Sequence, residues 1–289
     1  MKGIILAAGS GTRLYPASTP ISKALLPIYD KPMIFCPLSV FLLAGIDDIL
    51  IITNESDLPN FRKLLGDGSR FGITVKYAIQ YKQKGIADAF LIGEEFINKQ
   101  KVALILSDNI FYSPRLKTVL SNVNLKNDGA TIFGYKVQDA NNFGVVEFDS
   151  DMNVISIEEK PKDPKSSYAV TGLYFYNKEV CEIAKSLTPS NRGELEITDL
   201  NNSYLQRGKL KIEFLGDDVL WIDAGTPASM LEASNMVNKL ELRLNRKVFS
   251  PEEIALEAGL ISKELLLKSI SQYNGSSYYE YLLGLAKLP

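Results

Sequence analysis

Near the start of the chain, Gly9-Ser10-Gly11-Thr12-Arg13 follows a short apolar run, and Lys23 stands ten residues beyond Arg13. Glycines and small residues behind a strand let backbone approach a phosphate closely. A guanidinium and an ammonium beside such a loop suit a triphosphate that must release pyrophosphate. The stretch lacks the Gly-Lys-Ser/Thr of a P-loop, and Leu14 stands where a dinucleotide fingerprint needs its third Gly. Taken alone, it also reads as an ordinary strand-to-helix turn with surface charges.

Two aspartates extend the chemistry. Asp108 follows an apolar strand and precedes Asn109; Asp223 follows Val219-Leu220-Trp221-Ile222 and precedes a helix. Singly, each reads as a cap or turn residue. Together with a cationic loop, they read better as a pair that meets across one divalent cation. Glu158-Glu159-Lys160-Pro161 ends another strand, where a carboxylate and an ammonium could grip sugar hydroxyls and a phosphate; a solvated edge strand is the alternative. Gly144, in Asn142-Phe143-Gly144-Val145-Val146-Glu147, would let a ligand lie against the backbone. Gln80, followed by Gly85, could read a base edge, because an amide offers a donor and an acceptor together. Arg192-Gly193-Glu194-Leu195-Glu196 packs charge around a helix start.

Composition narrows the chemistry further. The chain of 289 residues has no histidine. That excludes Ser-His and Cys-His nucleophile pairs and imidazole metal ligands. Any metal must be held by oxygen, which favours Mg²⁺ or a similar hard cation. Phosphoryl-type transfer from an ionised phosphate oxygen fits, since its nucleophile has no proton to lose. A net charge of −2 and a pI near 5.5 argue against a nucleic-acid partner. The longest apolar runs are too short to span a bilayer, so no membrane partner is expected. The N-terminal strand does not read as a signal peptide. Cys36 and Cys181 sit in apolar surroundings without metal spacing. They read as buried thiols of a reducing compartment, so a cytoplasmic protein is expected.

Positioning these residues calls for an α/β fold. Strands are expected at 46–53, 74–80 and 101–106, with helices at 33–44, 59–65 and 87–97 between them. That βαβ rhythm implies a parallel sheet with ligands at the carboxyl ends of its strands. From about residue 129 the rhythm changes. Strands at 130–137, 144–148, 154–158 and 168–176 suggest an inserted, more antiparallel layer on the substrate side. A helix at 194–207 and strands at 210–215 and 219–222 follow. Pro227 opens a long helix to about Leu244, and two more helices are expected from Pro251 onward.

The motifs are also familiar as a set. The chain resembles the glucose-1-phosphate thymidylyltransferases, a branch of the sugar-1-phosphate nucleotidyltransferase family. The matching stretches are Gly9 through Leu14, Ile21-Ser22-Lys23, Tyr29 through Ile34 and Leu65 through Ser69, then Glu158 through Pro161, Tyr168 through Tyr174 and Arg192 through Asp199. The resemblance implies a Rossmann-like, mainly parallel central sheet flanked by helices, an inserted sugar-binding sheet and a C-terminal helical extension. It divides the chain into a nucleotidyltransferase domain at 1–244 and an extension at 245–289. It implies transfer from dTTP to glucose 1-phosphate with Mg²⁺, toward dTDP-rhamnose and related sugars, the alternative being the same chemistry with UTP or another sugar 1-phosphate. Nucleotide binding falls to Ala8, Gly9, Gly11, Thr12, Arg13, Lys23, Gln80 and Gly85, and metal binding to Asp108 and Asp223. The sugar phosphate falls to Asn109, Gly144, Glu159, Lys160 and Val170. Arg13, Lys23, Asp108, Lys160 and Asp223 are the implied catalytic set. The resemblance also implies a homotetramer with a regulatory nucleotide-sugar site between subunits. Departures from the family pattern include Ala8, Ala24, Ser107, Ala224, and Phe143 in place of a Tyr. Ser113-Pro114-Arg115 and Asn245-Arg246-Lys247 differ from the usual regulatory-site residues.

Overall fold

The computed structural model describes residues 1–126, 128–271, 273 and 275–287. A nine-stranded mixed sheet forms its centre. Strand Lys2–Leu6 runs parallel to Asp48–Thr53 on one side and to Val102–Leu106 on the other. Thr74–Ile79 extends this parallel half beyond Asp48–Thr53. Successive side chains alternate between two cores, as the pleat requires. Ile5, Ile49, Ile51 and Ile105 enter one core; Ile4, Leu50, Ile52 and Leu104 enter the other. Both faces are therefore buried, which explains why these strands are apolar throughout. Helix Phe35–Leu43 packs into the first core. Helices Asp88–Ile92, Val180–Lys185 and Ile197–Gln206 pack into the second.

The inserted strands belong to the same sheet. Tyr168–Tyr176 is the joint: it runs antiparallel to Val102–Leu106 and to Ala130–Lys136, and Ala169 meets Val145 of strand Gly144–Phe148. Val154–Glu159 completes a hairpin with Gly144–Phe148, and Leu210–Phe214 pairs in parallel with Ala130–Lys136. A separate two-stranded ribbon pairs Asn109–Tyr112 with Leu220–Asp223. The turn at Ser107-Asp108 leads from the central sheet into this ribbon, which sets Asp223 opposite Asn109.

Four expected helices change shape. The helix expected at 87–97 breaks at Gly93 into Asp88–Ile92 and Glu94–Ile97. The one expected from Glu194 starts at Ile197, because the preceding residues form a loop held by Arg192 on Glu196 at 2.9 Å. The two expected after Pro251 are three: Pro251–Glu257, Lys263–Ile270 and Ser277–Lys287. Gly259 adopts a left-handed conformation, and Ser262 caps the next helix by accepting from the Leu265 N–H at 3.2 Å. These helices share the first core: Ala255, Leu266, Tyr278 and Leu282 lie in one cluster with Phe35 and Phe71. Among the described residues, no helix is long and apolar enough to cross a membrane.

Candidate active site

A cleft of about 460 Å³ opens at the carboxyl ends of the parallel strands. The parallel half contributes Gly9, Arg13, Lys23, Gln80 and Gly85 to its wall, and the antiparallel half contributes Gly144, Glu159, Lys160 and Val170. Asp108, Asn109 and Asp223, where the central sheet meets the ribbon, also line it. Three expected nucleotide residues lie off this wall. Ala8 is fully buried, its carbonyl accepting from Gln83 Nε2 at 3.4 Å. Gly11 and Thr12 stand back from the cleft, and the Gly11 carbonyl accepts from the Ser18 hydroxyl at 2.7 Å.

The two aspartates face each other. The Asp108 carbonyl accepts from the Ala224 N–H at 2.8 Å, which ties the two chain segments together. Burial alone would raise the Asp108 carboxyl; the Lys23 ammonium paired with it, and the Asn109 amide at 3.2 Å, outweigh burial and hold it below the ordinary range. Asp223 shifts the other way. Burial and then the negative charge of Asp108 raise it, and Arg13, Lys23 and the Gly225 N–H at 2.9 Å only partly offset them. Arg13 reaches this spot because Gly225 has no side chain: a Cβ there would stand 2.4 Å from the guanidinium. Among the described residues, no group of three or more carboxylates or thiols is gathered to hold a metal by protein alone. Two oxygens-bearing side chains with cations beside them fit a site that phosphates and water must complete.

Asn109 anchors the turn. Its Oδ1 accepts from the Gly172 N–H and from Trp221 Nε1, both at 2.8 Å, so its amide nitrogen faces Asp108. Trp221 packs on Phe143 with ring centroids 5.2 Å apart. On the antiparallel wall, Glu159 pairs with Gly144 across the hairpin, accepts from the Thr198 hydroxyl at 2.9 Å and lies 3.9 Å from Lys160 Nζ. On the parallel wall, Gln80 follows strand Thr74–Ile79, and its Nε2 donates to Asp88 at 2.9 Å. Gly85 has φ +93°, and a Cβ on it would sit 2.3 Å from the Leu195 carbonyl. The Leu195 N–H donates to the Lys84 carbonyl at 2.7 Å and its carbonyl accepts from Ala87 at 3.1 Å, so the Gly85 segment is tied to the loop that carries Arg192.

Sequence reading missed Gln83, Asp88, Gly172 and Trp221. Trp221 carried one available signal, as the sole tryptophan two residues before Asp223. The others depend on partners distant in the chain or on loop geometry.

The cleft and sheet have counterparts. The nucleotidyl transferase family model matches residues 2–239. The chain belongs to that family, whose members generally work with a divalent metal. Within it, a glucose-1-phosphate thymidylyltransferase of Neisseria gonorrhoeae is 52% identical over 285 residues, 99% of each chain. A Bacillus anthracis structure described as a glucose-1-phosphate thymidylyltransferase in complex with a sucrose shares 43% identity and a TM-score of 0.75, covering 82% of this chain and 94% of its own. A UDP-glucose pyrophosphorylase complexed with UDP-glucose shares 25% identity and a TM-score of 0.73, covering 83% of this chain and 98% of its own.

Proposed function

We propose that the protein transfers a thymidylyl group from dTTP to α-D-glucose 1-phosphate, giving dTDP-glucose and pyrophosphate. The two-sided cleft carries this reading. Cations and an amide line its parallel wall, carboxylate and ammonium line its antiparallel wall, and the two aspartates stand between. Gly9, Arg13 and Lys23 take the triphosphate, with Ala8, Gly11 and Thr12 shaping the loop behind them. Gln80 and Gly85 take the base. Gly144, Glu159 and Val170 hold the sugar, Lys160 its phosphate, and Asn109 keeps Asp108 in place.

In this reading an oxygen of the sugar phosphate attacks the α-phosphorus in line. The new O–P bond forms as the bond to the bridging oxygen of pyrophosphate breaks. The chain's work is positioning and charge neutralisation by Arg13, Lys23 and Lys160. Asp108 and Asp223 would hold Mg²⁺, the hard cation best suited to a site of two carboxylates and substrate oxygens. When bound, the ion neutralises phosphate oxygens and charge developing on the leaving group. Residues 1–244 form the proposed catalytic unit, 245–289 an extension packed on it. A homotetramer in the cytoplasm is the proposed state, and exposed Leu231 and Leu242 on helix Pro227–Leu244 offer apolar contact surface.

Incubation with dTTP, glucose 1-phosphate and Mg²⁺ should give dTDP-glucose and pyrophosphate in equal amounts. Pyrophosphate release that does not require a sugar phosphate would reject the reading.

A further inference from the structure

Asp88 is not absorbed by the reaction scheme, yet it lies in direct contact with the residue that faces the base. Its carboxylate is buried at the first turn of helix Asp88–Ile92 and accepts from Gln80 Nε2 at 2.9 Å. An ionised carboxylate only accepts hydrogen bonds, so the amide edge turned toward it must be the nitrogen. The planar amide then presents Oε1 and its remaining N–H elsewhere, and Gln80 lines the cleft. Among the described residues Oε1 has no hydrogen-bond partner of its own.

That orientation selects a base. Thymine and uracil offer a donor at N3–H beside an acceptor at O4, which match an acceptor at Oε1 beside a donor at Nε2. Cytosine offers the reverse order: an acceptor at N3 beside a donor at its exocyclic amine. A glutamine turned over by half a rotation would suit cytosine equally well. Turning it over would set Oε1 against the Asp88 carboxylate, lone pair against lone pair, in a buried site. We propose that Asp88 is the specificity-determining positioning residue of this cleft, holding the Gln80 amide in the one orientation that accepts thymine or uracil and rejects cytosine. The inference rests on the thymidylyl reading above.

The test is kcat/KM for dTTP and for dCTP, each with glucose 1-phosphate, in the wild type, Asp88→Asn and Asp88→Glu. Asparagine can donate as well as accept, so it tolerates both orientations of Gln80. Asp88→Asn should lower the dTTP-to-dCTP preference by at least about tenfold, chiefly through a gain with dCTP. Asp88→Glu keeps an acceptor-only group and should retain the preference at reduced rates. Equal losses with both nucleotides in Asp88→Asn, leaving the preference unchanged, would mean that Asp88 is merely structural. So would a Glu variant as unselective as the Asn variant. A wild type that uses dCTP as readily as dTTP would instead overturn the base assignment of the cleft itself. Should Asp88→Asn fail to fold, Asp88→Ser supplies another donor-acceptor group for the same ratio.

Discussion

The active-site cleft and the seam beneath the C-terminal helices both bury ionised side chains, and they balance them differently. In the seam Lys31 and Lys247 each have two anions close. Lys31 lies 2.5 Å from Asp30 and 2.6 Å from Glu241; Lys247 pairs with Asp30 and lies 2.8 Å from Glu241. Lys31 also lies over the Tyr278 ring at 5.7 Å. In the cleft, Asp223 stands beside Asp108 with only partial relief from Arg13 and Lys23. Burying charge is costly unless it is paired and hydrogen-bonded. For Lys31 and Lys247 the seam meets that cost within the fold; Glu252 and Glu253, raised by burial, keep part of it. The cleft leaves part of it standing, which a triphosphate and its metal would complete. Closed networks hold structure, and open ones bind.

Substitutions should separate the two regions. Asp108→Asn should lower turnover by about 10²-fold or more through lost cation binding. Its fold should persist, because the group is nearly isosteric and Lys23 keeps Asp223 as a neighbouring anion. Wild-type turnover at saturating Mg²⁺ would remove Asp108 from the site. Lys31→Met should do the reverse. It leaves Glu241 and Asp30 with one cation between them and should cost on the order of 3 kcal/mol in stability, while the activity of the remaining folded protein changes little. Equilibrium urea unfolding beside an activity titration would check both halves of that statement.

A smaller effect should appear in the pH dependence of stability. Burial raises the Glu252 and Glu253 carboxyls, and neither Arg70 nor the Tyr278 hydroxyl restores Glu252 to its ordinary value. A raised folded pKa means that the folded state binds protons more readily than the unfolded chain. These two groups therefore lower stability at neutral pH, and the cost lifts as pH falls through their raised values toward 4.5. Asp30 works oppositely. Burial opposes its ionisation, but Lys247 and Lys31 outweigh that and lower its pKa, so its contribution is lost as pH falls below 3.8. Melting temperature should rise by about 1–3 °C from pH 7 toward 5 and then fall in stronger acid. Glu252→Gln should flatten the rise; an unchanged profile would show that burial of Glu252 is not its source.

The contrast between regions also explains what the sequence could convey. The cleft's outline was legible because its residues sit in short local patterns: glycines after a strand, aspartates at strand ends, Glu159-Lys160 before a proline. The short apolar strands, separated by helix-like segments, announced the sheet in the same local way. The joint made by Tyr168–Tyr176 was not legible, since pairing partners leave no mark in either strand alone. The Gln80–Asp88 and Asn109–Trp221 hydrogen bonds were likewise silent, the second joining residues 112 positions apart. The seam was wholly hidden: Lys31 and Glu241 lie 210 positions apart, and each looks like an ordinary surface charge. The splitting of the last helices could have been inferred from Gly259 and Ser262, a stop followed by a cap.

In the proposed reaction this cleft joins a thymidylyl group to glucose 1-phosphate. A competition assay with equal dTTP, UTP, dCTP and dATP, glucose 1-phosphate and Mg²⁺, resolving the nucleotide sugars formed, measures that reaction and its choice of base together. The main product should be dTDP-glucose, with measurable UDP-glucose, because uracil differs only by a methyl group worth roughly 1–3 kcal/mol. Little dCDP- or dADP-glucose should form. A product mixture dominated by dCDP- or dADP-glucose would overturn the thymidylyl assignment and the role of Gln80 with it.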